Sequence, residues 1–126
     1  MTKKYSSISV ETTLAATISN SVTTMTVASG TGSALMGGIT LAPGNVDTFT
    51  VAIDVDTQNE EIVYVTAVSS DTLTIVRAQA GTSGVTHTAG ASVKHVLTSA
   101  DLTYFNNAIQ STVPQPGTPT IDGGTP

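Results

Sequence analysis

The sequence predicts a mainly β protein: a small antiparallel β-sandwich or barrel-like domain with one short C-terminal helix and extended termini. The first observation is that threonine fills 24 of the 126 positions, and its branched Cβ favours the pleated surface of a strand while its hydroxyl faces water. The second is that several segments alternate apolar and polar residues with a period of two, which is typical of half-buried strands. A chain of this length forms one domain.

The clearest predicted strand covers residues 48–55, where apolar side chains occupy every second position. Residues 61–68 are apolar on both faces, so this strand is either covered on both sides or lies at a subunit contact. Residues 69–71 form a short hairpin link after it. The other alternating segments predicted to belong to the sheet are residues 23–29, 73–77 and 92–97.

Two further stretches give weaker signals. Residues 12–18 fit either a strand or a helical turn. Residues 29–45 contain five glycines and a proline, which predicts a loop or a pair of turns with a short strand at Ile39–Leu41.

One helix is predicted, over residues 99–110. It begins with Thr98-Ser-Ala-Asp101, which resembles a capping box and places a carboxylate where it meets the helix dipole favourably. Leu102, Phe105 and Ile109 fall on one face, so this face is expected to lie against the sheet or a neighbour.

The termini are predicted to be arms that gain little from folding alone. The proposed organisation is an N-terminal arm at 1–10, a β domain at 11–98, the helix at 99–110 and a Pro/Gly-rich C-terminal arm at 111–126, because prolines and glycines at such density sustain neither a helix nor an inner strand. The residues expected to contact a partner are Tyr5, Val113, Pro114, Pro116, Pro119 and Ile121.

Composition argues against several function classes. The formal net charge is −5, with only four lysines and arginines, so there is no basic stripe for nucleic acid. The absence of cysteine removes disulfides and thiolate metal sites, and no segment has the apolar length of a secretion signal or a membrane span. Only 10% of residues are charged, and a surface of low charge density favours association.

His87 and His95 are the only imidazoles, and neither stands in a recognisable catalytic pattern. The stretch Gly81–Gly84 near His87 lacks a nucleophile elbow. His95 shares a strand face with Val93 and is interpreted as a semi-buried core residue. No enzymatic activity and no catalytic residue is therefore predicted.

Metal and cofactor patterns also fail. Residues 54–61 alternate acids as calcium loops do, but Asn59 stands where a glycine is required and Val65 where a bidentate glutamate is required. Glu60 and Glu61 are strand neighbours that point to opposite faces. In the glycine-rich loop, Gly38 stands where a phosphate loop has lysine. The acidic stretch is interpreted as a solvated turn, and no metal or cofactor is predicted.

The order of two segments, ETTLAATISNSVTTMTVASGTG and EEIVYVTAVSSDTLTIVRAQAGTSGVTHTAGASVKHVLT, resembles a small β-rich structural module of tailed bacteriophages. That module, known from marine and cyanobacterial phages, occurs in separate virion proteins and at the attachment ends of tail fibres. The resemblance covers residues 11–98 and departs from the pattern at residues 35–44, which are longer, and at Ala78, where glycine is common. Its most specific residues are Arg77, Gly81, Thr82, His87 and Gly90, followed by residues 95–98.

In such a module Gly81 and Gly90 serve tight turns, while Arg77 and His87 tie a long loop to the sheet by hydrogen bonds. The resemblance implies a non-enzymatic virion protein, assembled in the host cytoplasm and present in many copies or as a homo-oligomer. Its expected partners are the major capsid protein or other virion proteins, not nucleic acid or a membrane.

Three functions are compatible with this resemblance. The first is a head decoration or cement protein that clamps neighbouring capsid subunits. The alternative is a neck, tail or baseplate adaptor that attaches a fibre. A lesser alternative is a carbohydrate-binding adhesion module, although the chain has only two phenylalanines, three tyrosines and no tryptophan for a sugar platform.

Overall fold

A seven-stranded sheet dominates the computed structural model, which describes residues 2–44 and 46–112. The mainly β fold class is confirmed. Two helices accompany the sheet, α1 (Gly32–Met36) between the third and fourth strands and α2 (Ser99–Thr112) after the last. The strands are β1 (Thr2–Lys4), β2 (Thr12–Thr13), β3 (Thr24–Thr26), β4 (Asp47–Ile53), β5 (Glu61–Ser69), β6 (Thr72–Gln79) and β7 (Ser92–His95).

The sheet has the order β2-β7-β4-β5-β6-β3, and all of these neighbours are antiparallel. It curls until its two ends meet at a bridge between Leu14 and Val27. Ala15 donates its N–H to Thr26 O at 2.9 Å across this junction. The result is barrel-like, with paired backbone groups where an open sheet would leave an edge.

The apolar faces predicted from alternation meet inside this curled sheet. β4 is buried along its whole length, because β5 lies on one side of it, β7 and β1 share the other, and α2 contacts its outer face. The core contains Leu14, Ile18, Met25, Val27, Leu35, Met36, Phe49, Val51, Ile53, Val63, Val65, Leu73, Ile75, Ala91 and Val93.

Helix α1 lies in the glycine-rich stretch for which a loop was predicted. The Asp71 carboxylate accepts the backbone N–H groups of Gly30 and Gly32, each at 2.9 Å, and so fixes the entry to the helix. Leu35 then points into the core with no exposed surface. Gly37, at φ +57°, ends the helix in the left-handed region.

The short strand predicted at Ile39–Leu41 does not form. Gly37 and Gly38 both have positive φ, and the N–H of Ile39 returns to Met36 O at 3.1 Å, so the chain turns at this point. Ile39 and Leu41 pack half-buried against the core without pairing as a strand.

The described part of the N-terminal segment lies on the domain instead of extending from it as an arm. β1 pairs in parallel with the first half of β4, with Lys3 beside Thr48. Residues 6–10 then lie alongside α1. Ser6 Oγ donates to Gly37 O at 2.9 Å, and Val10 N–H donates to Ala34 O at 3.0 Å. A three-residue parallel strand has no alternation by which the sequence could reveal it.

Helix α2 begins with the predicted capping box. Thr98 N–H donates to Asp101 Oδ2 at 3.0 Å, and Asp101 N–H donates to Thr98 Oγ1 at 3.2 Å. The buried residue of its first turn is Asp101, however, whereas Leu102 is 57% exposed. Of the two positions expected for this apolar face, against the sheet or against a neighbour, Leu102 does not take the first. Asp101, and not Leu102, faces the sheet because its carboxylate has partners there, Thr50 and Lys3.

Several predicted residues lie outside what the structure describes. They are the side chains of Phe105 and Ile109 and the whole of residues 113–126, which include Val113, Pro114, Pro116, Pro119 and Ile121.

Replacing Leu35 by alanine is expected to lower the free energy of unfolding by about 2–5 kcal/mol, because a cavity forms in the core. Ile8→Ala truncates a side chain that is 70% exposed and should cost less than about 0.5 kcal/mol. Urea unfolding followed by circular dichroism measures both variants. Equal losses of stability would contradict the placement of α1 in the core.

Candidate functional site

A cluster of four charged side chains closes the end of the barrel where β4 finishes and β5 begins. We call Asp54, Glu61, Arg77 and His87 the charged cluster. Glu61 pairs with Ile53 on β4, so its side chain points to the inside of the curled sheet, and it has no exposed surface. His87 is also fully buried and is held by paired backbone hydrogen bonds with Ile18.

Arg77 forms a bidentate pair with Glu61. Its Nε donates to Glu61 Oε2 and its Nη2 to Glu61 Oε1, both at 2.8 Å. The other donors reach the backbone oxygens of Ser19 at 2.7 Å, Val22 at 2.9 Å and Val85 at 2.8 Å. All five guanidinium hydrogens therefore have acceptors, and Arg77 ties two loops to the sheet.

Glu61 collects hydrogen bonds from three directions. Besides Arg77, it accepts the N–H of Ala78 at 2.9 Å and of Val85 at 3.2 Å, and it meets His87 Nε2 at 2.9 Å. Burial by itself raises the pKa of this carboxyl. The hydrogen bonds from Arg77, His87 and the two backbone N–H groups outweigh burial and lower the pKa to about 2.

His87 lies between two carboxylates. Its Nδ1 is 2.6 Å from Asp54 Oδ2, and its Nε2 is 2.9 Å from Glu61 Oε1. Both ring nitrogens are therefore engaged by carboxylate oxygens, and His87 bridges the two acidic side chains.

The position of His87 suits anchoring, since its ring connects the end of β4, the start of β5 and the loop that precedes β7.

Asp54, interpreted from the sequence as part of a solvated turn, contributes its carboxylate to the charged cluster. The turn itself is closed by Thr57, which donates its N–H at 3.2 Å and its hydroxyl at 2.7 Å to Asp54 O. Asp54 and Asp56 adopt φ values of 57° and 63°, which Asp tolerates better than most residues. Among residues 2–44 and 46–112, no group of three or more His, Cys, Asp or Glu side chains is placed to hold a metal ion.

The glycines predicted to structure the loop have backbones in the left-handed region. Gly81 has φ +83° and Gly90 φ +92°, conformations that favour residues without a Cβ. Ala78 also has positive φ, at 56°. Its N–H donates to Glu61, so a residue with a Cβ takes up this conformation beside the charged cluster.

His95 occupies a different environment near the opposite end of the barrel. Its ring stacks on Phe49 with centroids 4.0 Å apart. Nδ1 lies 2.7 Å from Thr50 O, and Nε2 accepts the N–H of Ser6 at 3.3 Å. Burial lowers the pKa of His95, against the opposing effects of Thr50 and Asp101, so this ring is neutral with its hydrogen on Nδ1.

A second ionic contact joins the N-terminal strand to α2. We call Lys3, Asp101 and Tyr64 the terminal clasp. Lys3 Nζ is 3.3 Å from Asp101 Oδ1 and 3.6 Å from the centre of the Tyr64 ring. Asp101 has no exposed surface, and Thr50 Oγ1 donates to it at 2.9 Å. Sequence analysis identified Asp101 only as a cap, because a partner 98 residues away leaves no local signal.

Neither a scan against models of known protein families nor a search of curated proteins finds a match for this chain.

Within the described part of the chain, neither helix has the length and apolar character that crossing a membrane requires.

The free energy of unfolding is expected to fall as the pH decreases from about 4.5 to about 2, the ordinary and folded pKa values of Glu61. The sign follows because the unfolded chain takes up a proton in this interval and the folded chain does not. Glu61→Gln should flatten the pH dependence there and lower stability at neutral pH. Urea midpoints over a pH series measure this.

The control for this experiment is Glu60→Gln, which makes the same change one residue earlier, outside the charged cluster. It should retain the wild-type pH dependence. If the two variants show the same dependence of stability on pH, the lowered pKa of Glu61 is not the cause of the loss of stability in acid.

His95 is expected to be uncharged at neutral pH, because burial lowers its pKa. Nitrogen-15 NMR of the ring should show one N–H group, located at Nδ1, where Thr50 O accepts it. A hydrogen on Nε2 would contradict the contact in which that nitrogen accepts the N–H of Ser6.

Proposed function

We propose that this chain is a non-enzymatic structural protein of a tailed-phage particle, and specifically a head decoration or cement protein that clamps neighbouring capsid subunits. The observation that carries this proposal is the character of the surface, which is poor in charge and carries large apolar side chains. Those exposed by more than a third are Ile8, Val10, Val22, Val46, Val68, Val76, Leu97 and Leu102.

Internal pairing reduces the surface charge further. Of the four cations in the chain, Arg77 is bound to Glu61 and Lys3 to Asp101. These pairs leave the formal net charge at −5, so the attraction between molecules comes from the exposed apolar side chains, which gain free energy when a partner covers them. Such a surface favours a protein that works by contact with other proteins.

The exposed apolar side chains are spread over several parts of the domain. Val22 lies on a loop held by Arg77 at one end of the barrel. Val68 lies beside α1 residues at the other end, and Leu102 lies on α2. Contacts on several sides suit a protein that sits between neighbours in a lattice, and this supports decoration.

The resemblance to a phage structural module supports the same setting. Its most specific residues, Arg77 and His87, make the contacts that hold the loops rigid. A rigid body with preformed contact surfaces loses less entropy on docking.

One observation favours the adaptor alternative. Leu102 is exposed on the first turn of α2, so this helix has an apolar side chain to present to a fibre. The carbohydrate alternative has no comparable support, because the tyrosines whose side chains the structure describes are half-buried and Phe49 is fully buried.

Quantitative mass spectrometry of separated heads and tails tests the proposal. Decoration predicts copies comparable in number to the capsid protein, retained on emptied heads. A few copies that follow purified tails would establish the adaptor instead, and absence from both fractions would overturn the structural role. The capsid and tail-tube proteins of the same particles serve as internal standards.

A further inference from the structure

An apolar groove lies where the N-terminal segment meets the start of α2. It has a volume of about 240 Å³ and is lined by Tyr5, Leu97, Asp101 and Leu102. Leu97 is 59% exposed and Leu102 57% exposed. The polar member, Asp101, turns its carboxylate inward to Lys3 and Thr50, so the surface offered to a ligand is apolar.

The walls of this groove are fixed before anything binds. Tyr5 follows β1, and its hydroxyl donates to Asp101 O at 3.4 Å. The next residue, Ser6, is held by His95 and by Gly37 O. A positioned aromatic ring beside two exposed leucines is the kind of surface on which proline-rich segments dock, since such segments lose little entropy on binding.

We propose that residues 114–121 of this same chain, PQPGTPTI, dock in the groove. The segment contains three prolines and ends with an isoleucine, and it carries no charge that burial would penalise. Pro116 and Pro119 have the PxxP spacing that places two prolines on one side of a polyproline helix. Ile121 supplies the large aliphatic side chain that covers Leu97 and Leu102.

The length of the segment allows it to reach back. Leu102 and Thr112 are ten positions apart on α2, a distance of about 15 Å along the helix axis. Residues 113–121 span about 28 Å in an extended polyproline conformation. Ile121 can therefore return along α2 to the groove of its own molecule.

Because residues 114–121 belong to the same chain as the groove, their effective concentration at the groove is high. A short tether gives an effective concentration in the millimolar range, far above that of a second copy in dilute solution. A groove of this size binds such a short segment weakly, so the tether decides which segment fills it. This docking does not depend on the proposed role in the particle, but it removes Leu97 and Leu102 from the surface open to a partner and so argues against an adaptor that presents Leu102 to a fibre. The other exposed apolar side chains stay available for contact with neighbours.

Methyl NMR of the full-length protein tests the proposal. We expect nuclear Overhauser effects between the Ile121 methyl groups and the Tyr5 ring. Ile121→Asp should abolish these effects and shift the Leu97 and Leu102 methyl resonances, because the groove loses its cover. Gly124→Asp adds the same charge outside residues 114–121 and should leave those resonances unchanged.

Dilution identifies the molecule that supplies the segment. Overhauser effects that persist over about a hundredfold dilution are intramolecular, as proposed. Their disappearance on dilution would assign the groove to the segment of a second copy and overturn the proposal. Groove resonances that are identical in wild type and Ile121→Asp would overturn it as well. The copy number on heads and tails is unaffected by either result, so the two proposals fail independently.

Discussion

The bidentate pair between Arg77 and Glu61 is the interaction on which the closed end of the barrel depends. Glu61 points to the inside of the curled sheet with no exposed surface, and an ionised carboxylate there costs several kcal/mol unless it is paired and fully hydrogen-bonded. Arg77, His87 and two backbone N–H groups supply those partners. The same bonds hold the loops near Ser19 and Val85, so the loops and the charge depend on each other.

The two ends of the barrel are closed by opposite kinds of chemistry. At one end α1 inserts Leu35 into the apolar core, and at the other the charged cluster takes the place of an apolar plug. Buried ion pairs add little stability compared with apolar residues of similar volume. They do fix the strand register, because a slip of one residue in β5 would move Glu61 to the outer face, away from Arg77 and His87.

Sequence reasoning recovered what local patterns record. The alternation in β4 and the capping box at Thr98 predicted a strand and a helix start that the structure contains. The charged cluster left no such record, since Asp54 and His87 are 33 residues apart and meet only through the strand register. Arg77 and His87 were singled out as loop anchors through a resemblance, but their carboxylate partners were not. Helix α1 was not predicted, because the glycines on both sides of it indicated a loop or a pair of turns.

The terminal clasp connects the N-terminal strand to α2 through the ion pair between Lys3 and Asp101. Lys3 Nζ is buried and makes no hydrogen bond with the described residues, so its charge is balanced by Asp101 at 3.3 Å and by the face of the Tyr64 ring at 3.6 Å. Separating α2 from the domain would take the counterion away from this buried amine, which is a costly state. β1 and α2 therefore stabilise each other through one ion pair, although Lys3 and Asp101 are 98 positions apart in the sequence.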